Sequence, residues 1–323
     1  VTILIDPPAW PAHGTVFSHL VSDTSLAELH AFARANSLSE RAFDLDHYDV
    51  PAEIYDHLIE AGAVAVDGRE LTRRLIRSGL RVPLKERPPK IKNTLLERWD
   101  SLLPHHEELG EHVLEQWSTP PRAYHNSAHL LEMLNALDTL YSPGAPPRTA
   151  ILAAWFHDVV YDGNPGQDER ASADYAADTL TPLVSTGVIN TQEIEKVTEL
   201  IKATITHEVS PQLLSTLSAK DFALFLDADM AILAADSARY TRYAQAIRFE
   251  YSHFSDEDFR AGRSKVLKGL LARESIYLSP QGQALWEQDA RRNIHTELEQ
   301  LAATAEKNSF SSYTVPGQSE GPE

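Results

Sequence analysis

The chain contains no cysteine. Disulfides, thiolate metal sites and cysteine nucleophiles are thereby excluded, and any metal must be held by nitrogen and oxygen. Positive charge is in short supply as well, with a formal net charge of -18 when histidine is neutral. Such a surface repels a phosphate backbone, so broad nucleic-acid binding is not expected. A small anionic substrate stays compatible, because a metal and a few arginines reverse the field locally. No apolar run approaches the roughly 20 residues of a membrane-spanning helix, so no membrane partner is expected. The apolar start, Val1 to Ile5, is too short for the core of a signal peptide, and no basic segment precedes it. With no mark of export, the chain reads as cytoplasmic. It has no glycine-rich phosphate loop and no internal repeat, and nothing in it fixes an oligomeric state.

What is present is ample. The 323 residues are 42% hydrophobic, which allows a real core and, as a prior, two domains. Fourteen histidines and 47 carboxylates supply nitrogen and oxygen donors freely. To about Leu80, strand and helix signals alternate. Val1 to Ile5, Arg41 to Phe43 and Ala63 to Val66 read as strands. Ser25-Leu26-Ala27-Glu28 has the form of a capping box opening a helix to about Ala35, Pro51 opens a second helix, and Glu70 to Ser78 forms a third. Alternation of this kind predicts a small, mostly parallel sheet with helices packed on it. Residues 81–92, with three prolines and several basic side chains, read as a semi-rigid linker. From about Asn93 only helical periodicity remains, in ten segments between Leu95 and Ala305, and 306–323 reads as a disordered tail. The expected fold class is multidomain α/β plus all-α: a small parallel α/β domain at 1–80, the linker, and an all-helical bundle at 93–305.

The helical part carries the chemistry. His125 and His129 lie four apart, and a helix starting near Asn126 turns His129 inward. His157-Asp158 ends the most apolar helix, whose Ile151, Leu152, Trp155, Phe156, Val159 and Val160 cover most of its circumference. A histidine and an aspartate there are costly unless they bind something. Asp227 and Asp229 interrupt a third apolar stretch, Phe222 to Leu233. Imidazoles and carboxylates gathered this way suit Mn, Fe, Zn, Ni or Mg, as one ion or two.

Tyr124-His125-Asn126-Ser127-Ala128-His129, then His157-Asp158, then Ala228-Asp229-Met230, resembles the ordered signature of HD-superfamily phosphohydrolases. The opening is similar to that of class I cyclic-nucleotide phosphodiesterases. The wider pattern, with Trp155 to Tyr161 and the later Glu169 and Ser172, resembles a bacterial family of predicted metal-dependent HD phosphohydrolases, over about Asn93 to Ala305. The resemblance implies His129, His157, Asp158 and Asp229 as metal ligands, with Asp227 as runner-up for the last. It implies that Asp158 bridges to a second ion or orients the metal's water, and that His125 protonates the leaving oxygen. After the HD pair the chain departs from the phosphodiesterases, continuing Val159-Val160-Tyr161-Asp162 where they have a second histidine-rich stretch. Cyclic-nucleotide specificity is therefore not carried over.

The expected activity is hydrolysis of a small phosphorylated metabolite, with nucleotides among the candidates, through a metal-activated water. Imidazole titrates near operating pH, which suits His125 to general-acid work, or else to a hydrogen bond that orients another ligand. His207, near a helix end, is a further catalytic candidate, for a second metal or the phosphate, or a simple cap. Glu169 is a substrate-side candidate or a first-turn glutamate answering the helix dipole. Arg122, Arg239, Arg248 and Arg263 are candidates to clamp phosphate oxygens. Competing readings are an HD-fold di-iron oxygenase, which needs more histidine ligands, and a non-catalytic module that binds a nucleotide or partner.

In the amino-terminal part, Asp6, Trp10 and His13 follow the first expected strand, Asp44, Asp46, His47 and Asp49 the second, and Asp67 and Arg69 the third. Ligands bind beyond the carboxyl ends of strands in open parallel sheets, so these loops form a second candidate site, unless Asp and Pro simply serve the turns. Leu4 to Pro11 and Asp46 to Pro51 resemble a small bacterial domain family of unknown function.

Overall fold

The computed structural model describes residues 2–12, 14–83, 87–119, 122–207 and 218–311. His13, positions 84–86 of the expected linker and 312–323 of the expected tail lie outside the described residues. By contact density the chain divides into two units, residues 1–90 with 237–242, and residues 91–236 with 243–323.

The first unit is built on a six-stranded sheet. Its strands are β1 (Ile3–Ile5), β2 (Trp10–Ala12), β3 (Thr15–Ser22), β4 (Phe43–Asp44), β5 (His47–Pro51) and β6 (Val64–Ala65). The order is β4-β5-β3-β1-β6, with β2 also paired to β3. Only the β1–β6 pairing is parallel among the described residues. The expected parallel sheet is thus corrected to a mixed, mainly antiparallel one. Chain length explains the correction: Ala12 pairs with Thr15 and Asp44 with His47. Such short links close hairpins, whereas a parallel crossover needs a dozen residues or more. The sequence reading passed over β3 altogether, because Ser18 and His19 interrupt its apolar run.

Alternate residues of β1 face opposite sides of the sheet. Ile3 and Ile5 join Leu20, Tyr48 and Val50 beneath helices α1 (Leu26–Ala35) and α2 (Tyr55–Glu60). Leu4 and Val21 join Leu71 and Leu75 of α3 (Gly68–Arg77) on the other face. Ser25 caps α1 by accepting from Glu28 N, while the Glu28 carboxylate accepts from the Ser22 hydroxyl instead of returning to Ser25. Asp67 caps α3, accepting from Arg69 N and Glu70 N. The described part of the expected linker is docked, not free. Arg81 and Arg87 pair with Asp46, Arg87 also with Asp44, and Val82 N donates to Asp46.

The second unit is helical. Its helices are α4 (Pro88–Leu102), α5 (Glu107–Gln116), α6 (Ser127–Tyr141), α7 (Arg148–Phe156), α8 (Asp168–Leu180), α9 (Thr191–Ala203), α10 (Ala219–Asp229), α11 (Ser237–Glu250), α12 (Asp256–Ala272) and α13 (Pro280–Ser311), of which α4 and α11 begin with residues that belong to the first unit. The last helix continues past 306, where the tail was expected to begin. Among the described residues, no helix is long and apolar enough to cross a membrane.

The core gathers Trp99, Trp117, Trp155 and Phe156 with leucines from α6, α7, α9 and α10. As its all-round apolar sequence predicts, α7 is central: Ala150 and Leu152 to Phe156 are buried. It stops at Phe156, short of the expected Val160. Gly110 of α5 sits against the Trp99 indole, where a Cβ would overlap the ring. Trp99 cannot retreat, being fully buried and donating through Nε1 to His106 O at 2.8 Å. We expect Gly110→Ala to destabilise the protein by about 1–3 kcal/mol, the usual cost of overpacking. Gly262→Ala, in α12 with nothing near its Cβ position, should instead stabilise by up to about 1 kcal/mol through helix propensity. Urea unfolding of both variants checks the contrast.

Candidate metal centre

Three helices end at one place. His157 caps the C-terminus of α7, Asp229 is the last residue of α10, and His207 follows α9. A helix C-terminus carries unpaired carbonyls and partial negative charge, so it favours a cation. The end of α7 is fixed by its neighbours. Trp117 Nε1 donates to Trp155 O at 3.0 Å, and His157 Nδ1 donates to Ala154 O at 2.9 Å. Arg122 reaches the following turn, donating to Asp158 O at 2.6 Å and Val159 O at 2.9 Å. On α6, Asn126 accepts from Ala128 N and donates to Ala123 O, which sets the helix start. His129, in its first turn, is buried.

These elements bring the expected ligand set together. His129 Nε2 and His157 Nε2 approach to 3.2 Å. Asp229 Oδ1 lies 3.1 Å from the first and 3.4 Å from the second. Asp158 Oδ2 lies 3.1 Å from His157 Nε2 and 3.7 Å from His129 Nε2. His207 Nε2 donates to the other Asp229 oxygen at 2.9 Å. His207 adopts a φ of 51°, a left-handed conformation that costs a non-glycine residue about 1–2 kcal/mol.

Because Nδ1 of His157 is committed to a carbonyl, its neutral form presents a bare lone pair at Nε2. That lone pair faces another imidazole and two carboxylates. Such a group of acceptors is repulsive unless a proton or a cation stands among them. Burial opposes a charge on His157, yet attraction to Asp158 and Asp229 outweighs it and holds the imidazole well above its ordinary value. Burial likewise opposes ionisation of Asp229, and hydrogen bonds from His129, His157 and His207 hold it well below the usual carboxylate range. His129, His157 and Asp229 meet the spacing for holding a metal ion, and Asp158 Oδ2 lies beside the two imidazoles.

The cluster opens into a cavity of about 830 Å³. His125, Tyr161, Glu169 and His207 line it, as do the aromatic rings of Tyr243, Tyr251 and Phe259. His125 Nδ1 donates to Glu250 Oε2 at 2.7 Å, and the ring stacks on Tyr161 with centroids 4.2 Å apart. Glu250 is saturated: Oε1 accepts from the backbone N–H groups of Ala123, Tyr124 and His125, and Oε2 also accepts from Tyr161 OH at 3.0 Å. Despite its burial, these partners hold Glu250 down at about 2. Burial lowers His125, but its hydrogen bond to Glu250 and the nearby carboxylates raise it above its ordinary value.

The expected arginine clamps are placed otherwise. The Arg122 guanidinium is engaged with the carbonyls of His125, Asp158 and Val159 and with Thr119 Oγ1. Arg248 pairs with Asp256 and the carbonyls of Tyr251 and Phe254, and neither it nor Arg239 lines the cavity. Arg263 does line it, held by a two-pronged contact to Glu297, and Arg273 lies on the same wall. Glu169 accepts from Gly166 N at 2.6 Å. Sequence reasoning missed Glu250 and Tyr161. Glu250 stands 125 residues from its imidazole, at the end of a polar helix, and nothing local marks it.

Asp227, the runner-up ligand, faces elsewhere. Its carboxylate accepts from Leu278 N at 2.6 Å, Ser279 N at 2.8 Å and Ser279 Oγ at 2.5 Å. It ties α10 to the start of α13, where Gly282 leaves the room it occupies. We expect Asp227→Asn to cost about 1–3 kcal/mol of stability, the penalty for a buried group left unsatisfied, with metal content unchanged. Asp229→Asn should do the reverse, removing bound metal while retaining the fold. Elemental analysis beside urea unfolding distinguishes the two.

Residues 3–78 match the family described as "Protein of unknown function (DUF4031)". Nothing matches among the curated proteins or among the solved structures. Over the sheet and α1 to α3 the chain is therefore similar to a family of unknown function, and that match stops short of the helical unit.

Proposed function

We propose that the helical unit is a metal-dependent phosphohydrolase of the HD type, acting on a small phosphorylated metabolite. The observation that carries the reading is the gathering of His129 Nε2, His157 Nε2 and Asp229 Oδ1 at metal-binding spacing, with Asp158 Oδ2 beside the two imidazoles, next to a cavity that His129, Asp158 and Asp229 line. These would hold the ion. When bound, a divalent ion there supplies a Lewis acid for a phosphoryl oxygen and lowers the pKa of water.

The chain's own groups supply the remainder. Glu250 favours the protonated form of His125 and fixes Nδ1, so that Nε2–H is the proton offered to a leaving oxygen. Tyr161 stacks on the ring and stays a phenol, since burial and the Glu250 charge raise it. Arg263 and Arg273 add positive charge to the wall. The aromatic rings of Tyr243, Tyr251 and Phe259 suit a planar group, such as the base of a nucleotide. A second reading, an oxygen-activating di-iron site, draws support from His207 on the far oxygen of Asp229. An iron-dependent visible spectrum without phosphate release would favour it.

The test is phosphate release from a panel of nucleotides and sugar phosphates with Mn, Fe, Zn, Ni or Mg. His157→Ala and Asp158→Ala should each lower turnover by more than the roughly 10–100-fold that loss of a supporting residue costs. Undiminished release in either variant sinks the assignment. Glu250→Gln removes the charge that raises His125, so the alkaline limb of the rate profile should move to lower pH. An unmoved limb excludes His125 as the acid.

A further inference from the structure

A separate group of side chains lies in the first unit, on one face of its sheet. His19 of β3 stands directly opposite Asp49 of β5 in the antiparallel register. His47 is two residues before Asp49 on the same strand and so shares its face. The His19 and His47 rings meet edge to face, with centroids 4.9 Å apart. His47 Nε2 lies 3.4 Å from Asp49 Oδ1. One donor atom from each of the three residues lies within 4.8 Å of the others.

Both imidazoles are anchored from behind. His19 Nδ1 pairs with Asp6 Oδ2 at 3.0 Å, and His47 Nδ1 with Asp46 Oδ1 at 2.6 Å. Neither carboxylate is free to swing forward. Asp6 Oδ1 accepts from His19 N at 2.6 Å, and Asp46 Oδ2 accepts from Val82 N at 2.7 Å and from Arg81. Asp6 and Asp46 are both buried. With Nδ1 held in each ring, Nε2 is the nitrogen left to act. A carboxylate behind the far nitrogen is the arrangement that fixes tautomer and orientation in metal-binding histidines.

The pair of ion pairs alone would account for Asp6 and Asp46. Asp49 adds an oxygen donor to the same cluster. Asp49 brings its carboxylate to His47 Nε2 although its side chain is 46% exposed and has water available. His19 is 24% exposed. The group therefore has a buried, hydrogen-bonded rear and an open front.

We propose that His19, His47 and Asp49 form a second divalent-metal site, with Asp6 and Asp46 as positioning residues. Two imidazoles and one carboxylate select a transition ion of the zinc type over Mg or Ca, which prefer all-oxygen shells. Three protein ligands with an open front leave coordination positions for water or a substrate oxygen, the pattern of reactive zinc sites as opposed to closed structural ones. The site lies wholly within the part of the chain that matches the family of unknown function. It is independent of the phosphohydrolase reading, since it shares no residue with the helical cluster.

The test is zinc binding by the full, metal-stripped chain carrying His157→Gln and Asp229→Asn, which silences the helical cluster. This parent should retain one equivalent of zinc. Adding Asp49→Asn or His19→Gln should weaken binding by at least about 100-fold, and Asp6→Asn by about 10–100-fold, the range for groups that orient a ligand. Asp49 is half-exposed, so its variant should fold, which circular dichroism verifies. A folded parent that binds no zinc overturns the proposal and leaves ion pairs only. Zinc binding by Asp49→Asn and His19→Gln equal to that of the parent overturns it too.

Discussion

Lone pairs crowded together in a dry place need a positive charge among them. In the helical unit this constraint governs the geometry, because His129, His157 and Asp229 bring donor atoms within 3.1 to 3.4 Å of one another, and Asp158 Oδ2 lies 3.1 and 3.7 Å from the two imidazoles. His157 and Asp229 each stand where an α-helix ends, the end whose partial negative charge favours a cation. Apolar residues alone would pack these helices at lower cost. The cluster is bearable when a proton or a metal cation sits among the donors, and the proposed chemistry rests on the second. Glu250 meets the same constraint on a smaller scale, since five donors from four residues converge on one buried carboxylate.

The bundle positions the cluster through contacts that spend polar groups on backbone. Trp117 and Arg122 occupy the carbonyls where α7 ends, so the chain can turn at His157-Asp158 without leaving acceptors bare. Asp227 ties α10 to α13 two residues before Asp229 joins the cluster's donors. Residues that look equally chemical in the sequence thus divide their work, some building the frame and others facing the cavity.

The helical order was legible because its signal is local. The periodic apolar positions of 127–141 and 168–180 reappear as α6 and α8 with matching bounds, and the all-round apolar stretch before His157 lies at the centre of the bundle. The gathering of His129, His157, Asp158 and Asp229 was legible because polar residues stood in otherwise apolar helices. What was not legible is set by long-range pairing. Glu250 sits on a helix with no apolar interruption to mark it. Arg122 and Arg248 carry the right charge, but their geometry directs them to carbonyls. In the first unit, hairpins replaced the expected crossovers, because β3 hides His19 in a run broken by polar residues. Of the residues flagged there, Asp6, Trp10, Asp46, His47 and Asp49 lie in one group with His19, which had been passed over.

The account stands on a cation among four donors. Anomalous scattering from crystals of the protein as purified, recorded across the absorption edge of the metal found in it, tests this most directly. The account predicts a peak about 2.0–2.2 Å from nitrogen and oxygen donors of His129, His157, Asp158 and Asp229. A well-ordered cluster of these four side chains with no peak between them, their charges balanced by protons alone, would contradict it.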